Sequence, residues 1–243
     1  MVALAARHHL LLARLFLLRN RLHPGRDKLK LAQASVRSMS ETAIQTTAST
    51  SQTALTTALT MALKEWSVAV DAIAQGETIL LLRKGGIKEE KGQFVAAAER
   101  VVLLPTFEHQ KPELLKPQYQ SAVQPVTSGW HPNALTLKAW AEITDIFLTD
   151  DAEKVEALSE FHIWQPNLAQ ARLKWKAKQP LYVLTLRAYR FKQPITLPWD
   201  EDYGGCRSWV TLKEHIATEE SEAAIAHKDY KQQVDAIAQI ISR

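Results

Sequence analysis

The chain has 243 residues, enough for one large domain or two small ones, and its 46% hydrophobic content is enough for an ordinary core. Its net charge of +4 is unevenly held: residues 1–60 carry eight Lys/Arg against two acids, whereas residues 61–243 carry 22 against 24, so only local clustering would support a nucleic-acid role for the globular part. The sole cysteine, Cys206, excludes an internal disulfide and a Cys-based zinc site and fits a reducing, cytoplasmic setting. No apolar run reaches the roughly 20 residues needed to span a bilayer, so no membrane partner is expected.

Residues 1–38 are basic and Leu-rich, and residues 40–60 hold eleven Ser/Thr among twenty-one residues with no aromatic side chain. Such a composition buries too little apolar surface to offset chain ordering. Residues 1–60 therefore read as a low-complexity extension. Arg-rich, acid-poor leaders address organelles, but the abrupt onset of patterning at Met61 favours Met61, or Met39, as the true start. The domain proper is expected over 61–243.

From there, Leu63, Trp66, Val70, Ile73 and Ala74 fall at helical spacing, which predicts a helix over Ala62–Gln75 stopped by Gly76. Thr78–Arg83 and Val101–Leu104 read as strands, the first followed by a Gly85–Gly86 turn, the second closed by Pro105. Phe107–Tyr119 reads as short helices broken by Pro112 and Pro117. Leu135–Leu148 predicts a strand bent midway, and Asp151–Phe161 a helix capped by Asp150 or Asp151. A short helix follows over Asn167–Lys176, then the strongest strand, Leu181–Phe191, then a shorter strand at Trp209–Leu212. Glu219–Ile241 ends the chain as an amphipathic helix. Strands and helices mix without a regular βαβ beat, which predicts an α+β fold. Trp66, Leu80, Leu82, Val102, Leu104, Trp140, Ile143, Leu184, Leu186 and Val210 are the expected core.

Several short blocks carry a family resemblance. They are Ala62-Leu63-Lys64-Glu65-Trp66, Leu80-Leu81-Leu82-Arg83-Lys84-Gly85-Gly86-Ile87, Pro105-Thr106-Phe107-Glu108-His109-Gln110 and Leu115-Lys116-Pro117. Beyond them come His162-Ile163-Trp164, Arg172-Leu173-Lys174-Trp175-Lys176, Pro180-Leu181-Tyr182-Val183-Leu184 and Gly205-Cys206-Arg207-Ser208-Trp209-Val210. In these blocks, over about 61–212, the chain resembles the bacterial domain-of-unknown-function family numbered 1802, common in cyanobacteria. The resemblance carries over no catalytic residue. It implies a restriction–modification or defence setting and a restriction-endonuclease-type partner.

The most pointed functional feature is a run of 39 residues, from Phe161 to Trp199, without a single Asp or Glu. It holds Arg172, Lys174, Lys176, Lys178, Arg187, Arg190 and Lys192, interleaved with Phe161, Trp164, Trp175, Tyr182, Tyr189, Phe191 and Trp199. Cations neutralise phosphates and rings stack on bases, so the run fits a nucleic-acid surface made of Arg172, Lys174, Lys176, Arg187, Arg190 and Trp175. The competing reading places the tryptophans in the core and leaves the cations solvated. Arg83-Lys84-Gly85-Gly86 adds a second possible anion contact, with backbone N–H groups exposed by glycine. It reads more readily as a strand-end turn needing positive φ.

Weaker patterns point to catalysis. Glu77, Glu108, His109 and His162 would supply carboxylates and imidazoles for a metal or general acid–base site, though no His-x-x-x-His spacing supports it. Asp71, Glu77 and Glu89-Glu90-Lys91 faintly echo metal-dependent nucleases, but Lys88–Gly92 reads as a polar loop. Cys206 with His215 would make a nucleophile–base pair, against the default of a buried thiol. The sequence names no cofactor. Three functions follow: a nucleic-acid-binding accessory module, a metal-dependent nuclease or phosphoesterase, or a protein-interaction module docking through an exposed apolar stripe on the last helix.

Overall fold

A computed structural model of the protein describes residues 58–90, 93–175 and 180–243. The expected low-complexity extension, all but its last three residues, lies outside these, as do Lys91, Lys176 and Lys178.

Strand β1 (Leu59–Trp66) runs between β5 (Arg100–Thr106), parallel to it, and β8 (Trp209–Ile216), antiparallel to it. The sheet continues antiparallel from β5 through β6 (Ala134–Thr149) and β7 (Leu181–Pro198) to β2 (Leu80–Arg83). A short β9 (Ser221–Ala223) pairs with Tyr189–Phe191 of β7, and β3 (Lys88–Glu90) with β4 (Gln93–Val95) forms a separate hairpin. The helices are α1 (Ser67–Ala74), α2 (Pro117–Gln120), α3 (Ala152–Ala157), α4 (Pro166–Lys174) and α5 (His227–Ser242). The fold is α+β, as the mixed pattern predicted.

The run Val101–Leu104 is apolar without alternation because both faces of β5 are covered. Val101 and Leu103 join one core cluster with Leu63, Leu81, Leu184 and Leu186, while Val102 and Leu104 join another with Ala62, Trp140, Phe191 and Val210. A third cluster gathers Val68, Ala72, Leu80, Leu82, Trp164, Leu181 and Val183 beneath Tyr230 and Ile237 of α5. The last helix therefore spends its apolar side on the core. Among the described residues it presents no exposed large hydrophobic, so the interaction-module reading loses the stripe it required. Of the expected core, Trp66 and Ile143 are only partly buried and the other eight residues are buried.

The expected helix over Ala62–Gln75 is corrected by half. Ala62–Trp66 belong to β1, and the helix begins only at Ser67. A central strand with Ala62 and Leu63 buried on opposite faces does not alternate, so its apolar residues mimic helical spacing. Gln110, 42 residues away, accepts the orphan Val68 N–H at 3.4 Å and binds Ser67. The helix does end at Gly76, whose φ of 75° and whose contact with Ile225 and Ala224 leave no room for a Cβ. Of the polar loop expected at Lys88–Gly92, Lys88–Glu90 form strand β3 instead, paired with β4. The predicted start of the final helix at Glu219 is also corrected. Ser221–Ala223 pair with β7, and helix begins eight residues later, at His227. Pro105 does not close β5, which runs to Thr106, and β7 continues past Phe191 to Pro198. β6 is bent as expected, its register shifting between Leu137 and Ala139 and again between Ile143 and Asp145. Asp151 caps α3, accepting from Glu153 N–H at 2.8 Å. Among the described residues no helix is long and apolar enough to cross a membrane.

Candidate functional site

The end of β1 carries Lys64, Glu65 and Trp66 to the rim of a cleft of about 720 Å³. The end of β2 delivers Arg83 and Lys84. The segment after β5 contributes Glu108 and His109, the last turn of α4 contributes Arg172 and Trp175, and the turn before β8 contributes Gly205, Cys206 and Arg207. Five cations thus meet two carboxylates in one concavity.

Four of the five cations are constrained by their surroundings, and Arg207 is exposed. Arg83 is buried, and its guanidinium donates to Glu65 Oε2 at 3.0 Å, while Glu65 Oε1 accepts the Trp66 N–H. Burial lowers the Arg83 pKa; Glu65 opposes that fall and Arg172 adds to it. Arg172 leans over the Trp164 ring, 5.1 Å from its centroid, and donates to Leu82 O. Trp164 is itself braced edge-on by Trp66 at 5.0 Å. Lys64 reaches the carbonyls of Tyr203, Gly204 and Gly205 at 2.8, 3.2 and 2.5 Å, so its ammonium clamps that turn. Burial lowers its pKa, Arg207 lowers it further, and Cys206 and Glu108 pull it up. Lys84 is buried as well; burial lowers its pKa against the pull of Asp150. Desolvation and mutual repulsion therefore disfavour charge here, and a bound anion would relieve both.

The backbone around the cleft is specialised. Gly86 has φ 78°, and a Cβ there would meet Trp209 Nε1 at 2.8 Å, the atom that donates to Gly86 O at 2.6 Å. His109 takes a left-handed φ of 61°, the single non-glycine residue among those described to do so. Glu108 beside it accepts the Gly129 N–H at 2.5 Å. Trp175 stands 58% exposed at the rim.

Of the residues singled out from the sequence, Arg83, Lys84, Gly85, Gly86, Glu108, His109, Arg172, Trp175 and Cys206 line this cleft. Lys174 is exposed on α4, and Lys176 lies outside the described residues. Arg190 is paired with Glu222 at 2.8 Å on the surface. Arg187 sits over Tyr189 at 5.5 Å, in a ladder that continues through Trp140 to Arg100. The catalytic set is dispersed: Glu77 is exposed beyond α1, while His162 is buried and accepts the Trp164 N–H at 3.2 Å. Asp71 pairs with Lys138. Among the described residues no group of three or more His, Cys, Asp or Glu is placed to hold a metal. Cys206, expected as a buried thiol, is exposed, and His215 does not line the cleft. Lys64, Glu65 and Arg207 were not singled out from the sequence. Their signal was membership of the short blocks that carry the family resemblance, five of which supply the cleft.

A family model covers residues 62–236. The chain belongs to the family described as a domain of unknown function, DUF1802. None of the curated proteins compared with this DUF1802 chain matches it. Solved structures similar to it include the ASCH protein of Zymomonas mobilis, 13% identical, with a TM-score of 0.38 over 72% of this chain and 93% of that one. A tyrosine-to-phenylalanine variant of the Zymomonas mobilis protein gives 14%, 0.36, 72% and 96%.

Proposed function

We propose that the DUF1802 domain of this chain is a nucleic-acid-binding module whose cleft grips the sugar–phosphate backbone. The observation that carries this reading is the convergence of Lys64, Arg83, Lys84, Arg172 and Arg207 from four separate stretches of chain into one concavity. One of the two carboxylates there, Glu65, is already spent on Arg83. Burial holds Arg83 and Lys84 and a ring holds Arg172, so these three lose little rotamer freedom when phosphates arrive. Arg172 and Arg207 present planar forks suited to phosphate oxygens, while Arg83, buried and paired with Glu65, contributes field. Lys64 contributes field rather than contact, because three carbonyls occupy its ammonium. Trp175 at the rim offers an exposed ring for stacking.

The test is fluorescence anisotropy of single- and double-stranded DNA and RNA at about 50 mM and 200 mM salt. Binding should weaken steeply with salt, and Arg207→Glu should weaken it and flatten the salt slope. Trp175→Ala should lower affinity while leaving the melting temperature in place, since its side chain is largely outside the core. Absence of binding to all four probes at the lower salt would overturn the reading.

A further inference from the structure

A second, smaller cavity of about 290 Å³ opens off the cationic cleft. The two share Lys64, Thr106, Glu108, Gly129 and Gly205 as common walls, so they form one continuous recess. Their chemistry differs. The cleft is cationic, whereas the side chamber is walled by Phe107, Trp130, His131, Trp199 and Tyr203, with the carboxylates of Glu108 and Glu201 at its edge. On one side Trp130 meets Phe107 edge-on at 5.8 Å, and it is left 44% exposed. In another part of the wall His131 lies flat on Trp199, with ring centroids 3.5 Å apart and an interplanar angle of 8°.

We propose that this chamber seats one unpaired nucleobase of the strand whose phosphates lie in the cationic cleft. The inference rests on the nucleic-acid reading above and specifies how that site takes its ligand. The segregation of chemistry is the argument. An anion is repelled by Glu108 and Glu201 but attracted by Arg83, Lys84, Arg172 and Arg207 next door. A neutral ring with N–H donors suits the reverse, aromatic faces for stacking and carboxylates for its amino edge. A cationic ligand, such as a methylated ammonium, also suits rings and carboxylates. Against it stand the five positive side chains next door, one of which, Lys64, lines both cavities. Stacking on the chamber's rings requires a base whose face is free, which selects single strands, loops or everted bases over intact duplex.

The experiment uses the full chain and a labelled single-stranded oligonucleotide of about ten nucleotides, within the usual range for such sites. Its comparison is a strand with the same phosphates and abasic sugars throughout. Wild type should prefer the base-bearing strand. Trp130→Ala should weaken that strand by roughly 5- to 150-fold, the range expected for loss of one stacked base. Trp130→Phe should restore most of the affinity. Neither change should alter the weaker binding of the abasic strand, nor the melting temperature. Equal binding of the two strands, or an unchanged affinity in Trp130→Ala while Arg207→Glu weakens both, would overturn the base seat and leave the cationic cleft standing. Displacement of the oligonucleotide by a trimethyllysine peptide, lost in Trp130→Ala, would also overturn it, by assigning the chamber to a cation. Failure of both strands to bind at low salt would overturn the cleft and the chamber together.

Discussion

His162 Nε2 is buried without a hydrogen-bond partner among the described residues, while Nδ1 accepts the Trp164 N–H, which places the ring's proton on the unpartnered nitrogen. Protonating this ring would put a charge in the core beneath the cleft. Burial holds its pKa down to about 4 from the ordinary 6.5, and the charges of Lys116 and Arg172 reinforce that depression. As pH falls below 6.5 the unfolded chain takes up this proton and the folded chain does not, so stability drops until pH reaches about 4. The full loss is about 3 kcal/mol, of which about 2 kcal/mol falls between pH 7 and pH 5. His162→Phe should abolish that component. Denaturant midpoints at the two pH values check it: an equal pH dependence in wild type and variant would show that His162 is not buried neutral. The same residue shows what sequence spacing leaves open. A His beside a Trp in sequence says nothing about whether its free nitrogen faces solvent, a ligand or the core.

The start of strand β7 is the stretch most legible from sequence, because Tyr182, Leu184 and Leu186 alternate with Val183, Thr185 and Arg187, and Leu184 and Leu186 do join one core cluster. Leu184 is fully buried, opposite Ile146 on β6 and Leu81 on β2. Leu184→Ala should cost about 2–5 kcal/mol, the range for a methylene-rich side chain removed from a site that collapses only partly. Equilibrium urea unfolding reads this directly, and a loss below about 0.5 kcal/mol would place β7 at the periphery. The start of β1 and the whole of β9 were illegible for the opposite reason. β1 is covered on both faces, so its period vanishes. β9 has three residues, Ser221, Glu222 and Ala223, and is defined by Ala224 N–H donating to Ala188 O and by pairing with β7, not by its own propensity. Strand geometry also divides the acid-free run, of which Arg172 and Trp175 line the cleft. On one strand, Arg187 and Arg190 are an odd number of residues apart and point to opposite faces, the first to a ring ladder and the second to Glu222.

At the scale of the whole molecule the cationic site is assembled by topology, which no window of sequence displays. Lys64 and Arg207 are far apart in the chain and meet because β1 pairs with β8, Leu63 lying opposite Trp209. The near-neutral charge of residues 61–243 therefore coexists with a strongly basic concavity. The same pairing bears on where the folded unit begins. β1 starts at Leu59, which pairs with Ile216 and joins the cluster of Ala62, Val102 and Val210, so the fold reaches two residues upstream of Met61. The Ser/Thr-rich composition before it predicts no such packing. Removal of residues 1–57 should thus leave the melting temperature unchanged. Removal of 1–60 should lower it, because Leu59 forfeits its burial, worth about 1.5–3 kcal/mol, and the edge between β1 and β8 loses its last rung. In a domain of this size that loss corresponds to a fall of about 3–12 °C. Calorimetry of the two truncations side by side decides it. Equal melting temperatures would return the boundary to Met61, and a fall already present in the shorter truncation would mean that residues before Leu59 pack against the domain.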